Sequence, residues 1–304
     1  MTSGAADADQ GYFPPGRSML RRVHEQRIVG LLYGQRGLMV GAVDPVVTVG
    51  TFMSTAGAAK PFDRLVRTAR VFEKTFFGTR EEADRELARV HRLHQRTRGE
   101  LGRPAGPYPA GTAYDALDPK QMLWTLACIA DSGQTLYEEL VRPLTPSERE
   151  TLWQDYRRWG ELFHLDRSHT PETYAEFRAW FDGRIASDEV FLTHEAREIG
   201  HIVGLEIPGA PVDRLGLEAL NLLVIGSLPS RVRKMYRLRW TPAHTAAYRA
   251  AAAAHRAARP LVPANVRRGS CEVQFARVAK AEKRWGRGQS ERAAAAAQAA
   301  AARA

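Results

Sequence analysis

The feature that most constrains this chain is a helix-start signal that recurs along it. Thr79 with Glu82, Asp118 with Gln121 and Thr145 with Glu148 each place a short polar side chain three residues before an acid or amide. In such a box the first side chain accepts from a backbone N–H of the opening turn and the second reaches back. Donors that a helix leaves without internal partners are thereby satisfied. Pro119 and Pro146 fill the first helical position, where a missing N–H is harmless. Thr170-Pro171 and Thr241-Pro242 repeat the cap-then-proline part of the signal. Together with apolar periodicity, these signals predict helices over 18–33, 62–77, 80–98, 119–140, 146–163, 171–184, 190–203, 212–226 and 242–258. Alternating strand-like patterns are scarce, with Val46 to Val49 as a short candidate for extended structure. The loop from Gly99 to Thr112, with three prolines and four glycines, is the least regular stretch. The fold class is all-α, in one multi-helix domain.

A chain of 304 residues with 44 % hydrophobic and 26 % charged residues can bury a sizeable core. Residues 1–16 read as a disordered N-terminus ending in Pro14-Pro15-Gly16, residues 17–266 as the helical domain, and residues 267–304 as a basic, Ala-rich tail. Ala293 to Ala304 has high helix propensity but no apolar face to dock, so it reads as frayed or disordered. The longest apolar run, Leu220 to Leu228, is too short for a membrane span. The polar, acidic first ten residues do not resemble a signal peptide. Cys128 and Cys271 form neither a metal-type pair nor a haem-attachment run. These features lead to the expectation of a cytoplasmic protein. The net charge of +10 is concentrated at one end: Pro229 to Ala304 holds 17 Lys/Arg against 3 Asp/Glu. The cations are spaced through Ala-rich, helix-forming sequence with no recognised nucleic-acid motif, so a solvated helix face is favoured over specific nucleic-acid binding.

Two histidines, His91 and His94, lie at i,i+3 and share a helical face. A neutral imidazole is a common ligand for haem iron, and one suffices. On spacing alone, a solvated or capping face is the commoner reason for such a pair on an Arg-rich helix. Arg64 and Thr68, at i,i+4, place a fixed cation beside a small donor and acceptor. Such a pair can hold a carboxylate or bound oxygen, or can simply be a surface Arg and a packed Thr. Phe72, Phe76, Phe77 and Trp124 are candidates for a pocket lining, with core packing as their ordinary role.

The order of the motifs says more than any one of them. Pro61-Phe62-Asp63-Arg64-Leu65-x-x-Thr68, Phe77-Gly78-Thr79 and His91-x-x-His94 running into Arg96-Thr97-Arg98-Gly99 resemble the catalytic core of the latex-clearing-protein (rubber oxygenase) and MpaB-type oxygenases. Tyr114 to Pro119 with Leu123-Trp124, Arg142-Pro143-Leu144, Pro171-x-x-Tyr174-x-x-Phe177, Leu228-Pro229-x-Arg231 and Trp240-Thr241-Pro242 extend the resemblance over roughly residues 18–260. The resemblance implies a globin-like helical core around a haem b pocket, with His94 as proximal iron ligand, His91 beside it, and Arg64 and Thr68 at the haem site. It also implies dioxygen and a small apolar organic substrate (isoprenoid, polyketide or lipid-like), as in secondary metabolism; a homodimer is left open.

Some positions depart from the family pattern. Asp44-Pro45 stands where many members have His-Pro, Met53-Ser54 where an acid or His is expected, Leu126 where a His follows Trp124, and Arg67 where rubber-cleaving members have Lys. Arg67 cannot lose its proton to ligate iron. The expectation is therefore oxygenation without carry-over of rubber cleavage. Two alternatives stay open. Glu161/His164 and Glu198/His201 are each Glu-x-x-His, the unit that di-iron carboxylate bundles use twice. A non-catalytic helical binding protein of the same fold is the other.

Overall fold

The computed structural model describes residues 11–49, 61–206, 214–285 and 295. Among these the helices are α1 (Met19–His24), α2 (Arg27–Gly41), α3 (Pro45–Thr48), α4 (Pro61–Phe77), α5 (Arg80–His94), α6 (Pro119–Leu140), α7 (Pro146–Leu162), α8 (Tyr174–Ala186), α9 (His194–Leu205), α10 (Arg214–Ser227), α11 (Ser230–Met235), α12 (Pro242–Ala258), α13 (Ala264–Arg267) and α14 (Glu272–Trp285). One two-stranded antiparallel sheet joins β1 (Arg98–Glu100) to β2 (Ala113–Asp115), with Arg98 opposite Asp115. The chain is mostly helical and forms a single domain, as the cap signals predicted.

The caps act as the sequence implies. Thr79 and Thr145 each close a reciprocal box with Glu82 and Glu148, and Asp118 accepts from the Gln121 N–H. Four details differ. The helix predicted over 18–33 is broken at Glu25–Gln26 and continues to Gly41 as α2. Val46 to Thr48 is helical, because Asp44 caps it by accepting from the Val47 N–H and Pro45 opens it. Thr173, not Thr170, caps α8 through a box with Glu176; buried Thr170 instead accepts from Arg157. The helix predicted over 80–98 stops at His94, because Thr97 folds back to bond the Leu93 carbonyl and the chain then enters β1.

The core centres on α2 packed along α6, with α7 and α8 against its other side. Trp153 stacks on Phe177 at 4.1 Å, and Trp124 on Phe181 at 5.9 Å while donating to the Gly41 carbonyl. Phe76 and Trp124 are thus fully buried core residues, and the partly buried Phe72 and Phe77 pack onto the same core. Residues 11–16, expected to be disordered, pack onto the folded body: Phe13 is buried against Phe76, and Tyr12 bonds Asp84. Nor does packing stop where the composition changes near residue 267. Cys271 is buried with its N–H on Glu73, and α14 lies along α4. The expectation for Ala293 to Ala304 falls almost entirely outside the described residues, as does Met53-Ser54.

One core histidine predicts acid sensitivity. His24 is enclosed by Phe76 (4.4 Å), Tyr33 (4.5 Å) and the Tyr156 hydroxyl (2.8 Å). The three helices approach so closely that a Cβ on Gly133 would meet Tyr156 Oη at 2.4 Å. Burial pulls His24 from its ordinary 6.5 down to about 3. The unfolded chain then takes up the proton first as pH falls, so this contribution is intact above pH 6.5 and is lost progressively toward pH 3. Urea titrations between pH 7 and 4 are expected to show stability falling with a slope of up to about 1.4 kcal/mol per pH unit from this group. His24→Phe should flatten that slope; an unchanged slope would remove His24 as its source.

Candidate functional site

The predicted site residues lie on one helical hairpin. Gly78-Thr79 turns the chain between α4 and α5, and Lys74 reaches Glu82 at 3.1 Å while Arg70 reaches Glu86 at 3.8 Å. Away from the turn, Arg64 stands near the start of α4, and His91 and His94 lie in the last turn of α5. Both motifs therefore sit toward the open end of the hairpin, although 27 and 30 residues separate Arg64 from the two histidines in sequence. Thr68 lies one turn closer to the loop with its side chain exposed, whereas Arg64 is half-buried.

His94 is the last residue of α5. It is held there by local bonds: the Thr97 N–H donates to the His94 carbonyl at 3.0 Å, and Ala116 bonds Thr97 across the start of the β1–β2 hairpin. That hairpin carries Asp115 to the same end of α5. The ring of His94 is half-buried, and burial holds its pKa below the ordinary value. The neighbouring His91 and His164 push in the same direction and Asp115 opposes them. At pH 7 the side chain is therefore a neutral imidazole, the form whose nitrogen lone pair can bind a metal.

His91 lies one turn earlier, its ring tilted against that of His164 with centroids 4.0 Å apart. Its Nε2 accepts from the Gln95 amide at 3.0 Å, which leaves its proton on Nδ1, and Nδ1 is buried without a hydrogen-bond partner. His164 reaches this position because it leaves α7 in the left-handed region, at φ +69°. Burial and His91 together lower its pKa as well. The cluster His91, His94 and His164 was not legible in sequence. The available signal was the predicted helix end at residue 163, immediately before His164. Arg64 is lowered to about 10 by burial and by Arg67, and remains a cation at neutral pH.

The two Glu-x-x-His units are not brought together. Glu161 and Glu198 are both exposed, beside Arg167 and His194 respectively. His201 bonds the Tyr236 carbonyl at 3.1 Å, while His164 faces His91. Among the described residues no group of three or more His, Cys, Asp or Glu side chains has a metal-holding arrangement. The di-iron alternative lacks its inward carboxylates and is set aside. Asp44, where family members carry His, is buried against Arg184 at 2.8 Å and serves packing and capping.

The donor chemistry suits a haem with one protein ligand: a neutral, half-buried imidazole, a second imidazole with an orphaned buried nitrogen, and a cation toward the same open end of the hairpin. A narrow apolar cleft of about 10 Å³ between α2 and α9, lined by Leu38, Ala42 and Ile199 among others, does not include His94. No described helix is long and apolar enough to cross a membrane.

Comparison with known proteins covers most of this architecture. Residues 21–257 match the family described as ER-bound oxygenase mpaB/B′/Rubber oxygenase, catalytic domain. An uncharacterised protein of Mycobacterium bovis and one of Mycobacterium tuberculosis are each 29 % identical over 119 residues, 38 % of this chain. The chain spans 43 % of the length of these curated relatives. No solved structure matches it. With the motif order, the helical hairpin and a family match over residues 21–257 in agreement, the chain belongs to the mpaB and rubber oxygenase catalytic-domain family.

Proposed function

We propose that this protein is a haem b-dependent oxygenase of small apolar organic substrates, with His94 as the proximal iron ligand in a globin-like helical pocket. The observation that carries the proposal is the state of His94. Within a domain of oxygenase lineage, the histidine at the family's ligand position is half-buried and neutral, at a helix end fixed by Thr97 and β1. Haem bound there would supply the iron chemistry that activates dioxygen.

The chain's own residues contribute position and charge. Packing against His164 and the bond to Gln95 hold the His91 ring in one orientation one turn from the ligand. Arg64 offers a permanent cation, suited to pairing a carboxylate of the macrocycle or to polarising oxygen. Thr68 adds a small hydroxyl donor from the exposed side of α4. Arg67 stands where rubber-cleaving members carry a lysine, and Leu126 where the family pattern has a histidine, which favours a compact substrate over a polymer.

The test is a visible spectrum and pyridine haemochrome assay on the full chain produced with haem supplementation. About one haem per chain, with a Soret band, and dioxygen consumption with an apolar alkene are expected. Two irons without porphyrin would return the reading to di-iron chemistry. A colourless, metal-free protein would leave a non-catalytic helical binding protein.

A further inference from the structure

After α12 the chain makes a single 3-10 turn, Arg259–Leu261, and then enters the short α13. Apolar side chains stand in water there: Leu261 is 85 % exposed, Val266 54 % and Val262 36 %. Pro260 and Pro263 beside them are exposed as well. Among the described residues, seven large hydrophobic side chains are exposed, and three of them fall in this one six-residue stretch. The half-buried Ile28 and Leu31 of α2 adjoin Val262 and Val266 and widen the patch. One exposed apolar residue is ordinary, whereas a contiguous cluster marks a surface that meets something. The segment is held in place from behind. Arg27 donates to the carbonyls of Asn265 and Val266, both at 2.9 Å, and the Gly269 N–H donates to the Glu25 carbonyl at 2.8 Å. The two prolines stiffen the turn further. The apolar tip is therefore preformed.

Charge identifies what the tip meets. Between Glu218 and Glu272 the sequence carries ten Lys/Arg and no Asp or Glu. Arg259 and Arg267 flank Val262 and Val266, and Arg268 follows with its side chain 53 % exposed. The shielded Nε of Arg267 shows that its stem lies on apolar surface, as in side chains that keep only the charged end toward water. The neighbouring acids already face cations: Glu25 stands 3.8 Å from Arg268, and Glu272 stands 3.8 Å from Lys74. The arginines thus surround an apolar tip with positive potential. A second copy of the same face would bring like charges together. A nucleic acid would use the cations and leave Leu261 in water. An anionic lipid bilayer offers both parts, with negative charge at its surface and hydrocarbon just below.

We infer that residues 259–268 dock this protein on an anionic lipid bilayer. Leu261, Val262 and Val266 enter the boundary between headgroups and acyl chains, and Arg259, Arg267 and Arg268 lie at the level of the lipid phosphates. Neither part suffices alone. Three partly inserted aliphatic side chains bind weakly, and so does a small group of cations, but the two contributions add in one contact. The association is peripheral and reversible. It uses neither His94 nor the α4–α5 hairpin, so it stands apart from the oxygenase reading.

The experiment is flotation of the full chain with phosphatidylcholine vesicles, with and without phosphatidylglycerol. The chain should float with the mixed vesicles and bind pure phosphatidylcholine at least about tenfold more weakly. Leu261→Ser combined with Val266→Ser should weaken binding at least about tenfold. Both side chains lie in solvent, so circular dichroism and Tm should match the wild type. Arg267→Gln combined with Arg268→Gln should also weaken binding about tenfold and flatten its dependence on salt. Arg85→Gln, on the exposed face of α5, should float like the wild type. His94→Ala should float as well, which separates this contact from the proposed haem site. Failure to float with anionic vesicles would overturn the inference. So would equal flotation of the Leu261/Val266 variant, which would place the contact in the basic tail instead. A dimer that the same variant abolishes, or binding to duplex DNA, in either case without flotation, would assign the patch to a second copy or to nucleic acid and overturn it too.

Discussion

Replacing His94 with alanine is expected to remove the Soret band from the purified protein, with haem per chain falling at least about tenfold. The helix should survive the change. Alanine is a better helix former than histidine, and the bonds that close α5 come from Thr97 and the backbone rather than from the imidazole. Far-ultraviolet circular dichroism should therefore match the wild type, which separates loss of ligand from loss of fold. Added imidazole should restore much of the absorbance by filling the vacated position. Arg92→Ala, two residues away on an exposed position, is the control and should retain the band. A Soret band that persists unchanged in His94→Ala would refute the ligand assignment. His91 and His164 would then be the next residues to replace, being the imidazoles packed beside His94.

The largest expected loss of stability follows from a buried charge network. Arg36 on α2 and Asp131 on α6 meet at 2.7 Å, with side chains only 2 % and 4 % exposed. Arg36 also donates to Ser132 Oγ at 2.8 Å and to the Ser227 carbonyl at 3.0 Å, tying α10 to the central pair. Arg178 on α8 closes on the other carboxylate oxygen of Asp131. Removing the carboxylate strands the Arg36 guanidinium in a medium that cannot hydrate it. Breaking a buried pair from one side typically costs about 3–5 kcal/mol, a large part of the roughly 5–15 kcal/mol that keeps a domain folded. Asp131→Ala should therefore shift the urea midpoint strongly downward or prevent folding at 37 °C. Replacing both partners, as in Arg36→Met with Asp131→Leu, should cost much less, because no isolated charge remains. A loss below about 1 kcal/mol in Asp131→Ala would place the pair in the range of solvent-exposed ion pairs.

The cap boxes made the helices legible because capping is local. Thr79 and Glu82, or Thr145 and Glu148, satisfy each other within one turn, whatever lies elsewhere. The misread elements all had distant or competing causes. Val46 to Thr48 has the β-branched composition of a strand, yet Asp44 and Pro45 ahead of it start a helix. Thr170-Pro171 carries a cap signature, but Arg157 from α7 takes the threonine hydroxyl, and Thr173 caps instead. The end of α5 came four residues early because Arg98 pairs with Asp115 across an intervening loop, a contact that no helical pattern encodes.

By itself the sequence determined the fold class, most helix boundaries and the family, because periodicity, caps and motif order are properties of neighbouring residues. Tertiary structure alone decided which side chains share a place. It folded α4 back on α5 so that Arg64 and His94 lie toward one end, and brought His164 from the end of α7 onto His91. It buried Asp131 between two arginines, and it kept the glutamates of the two Glu-x-x-His units in solvent. Those outcomes depend on how helices pack and which charges lose water, and such energies belong to pairs of residues far apart in the chain.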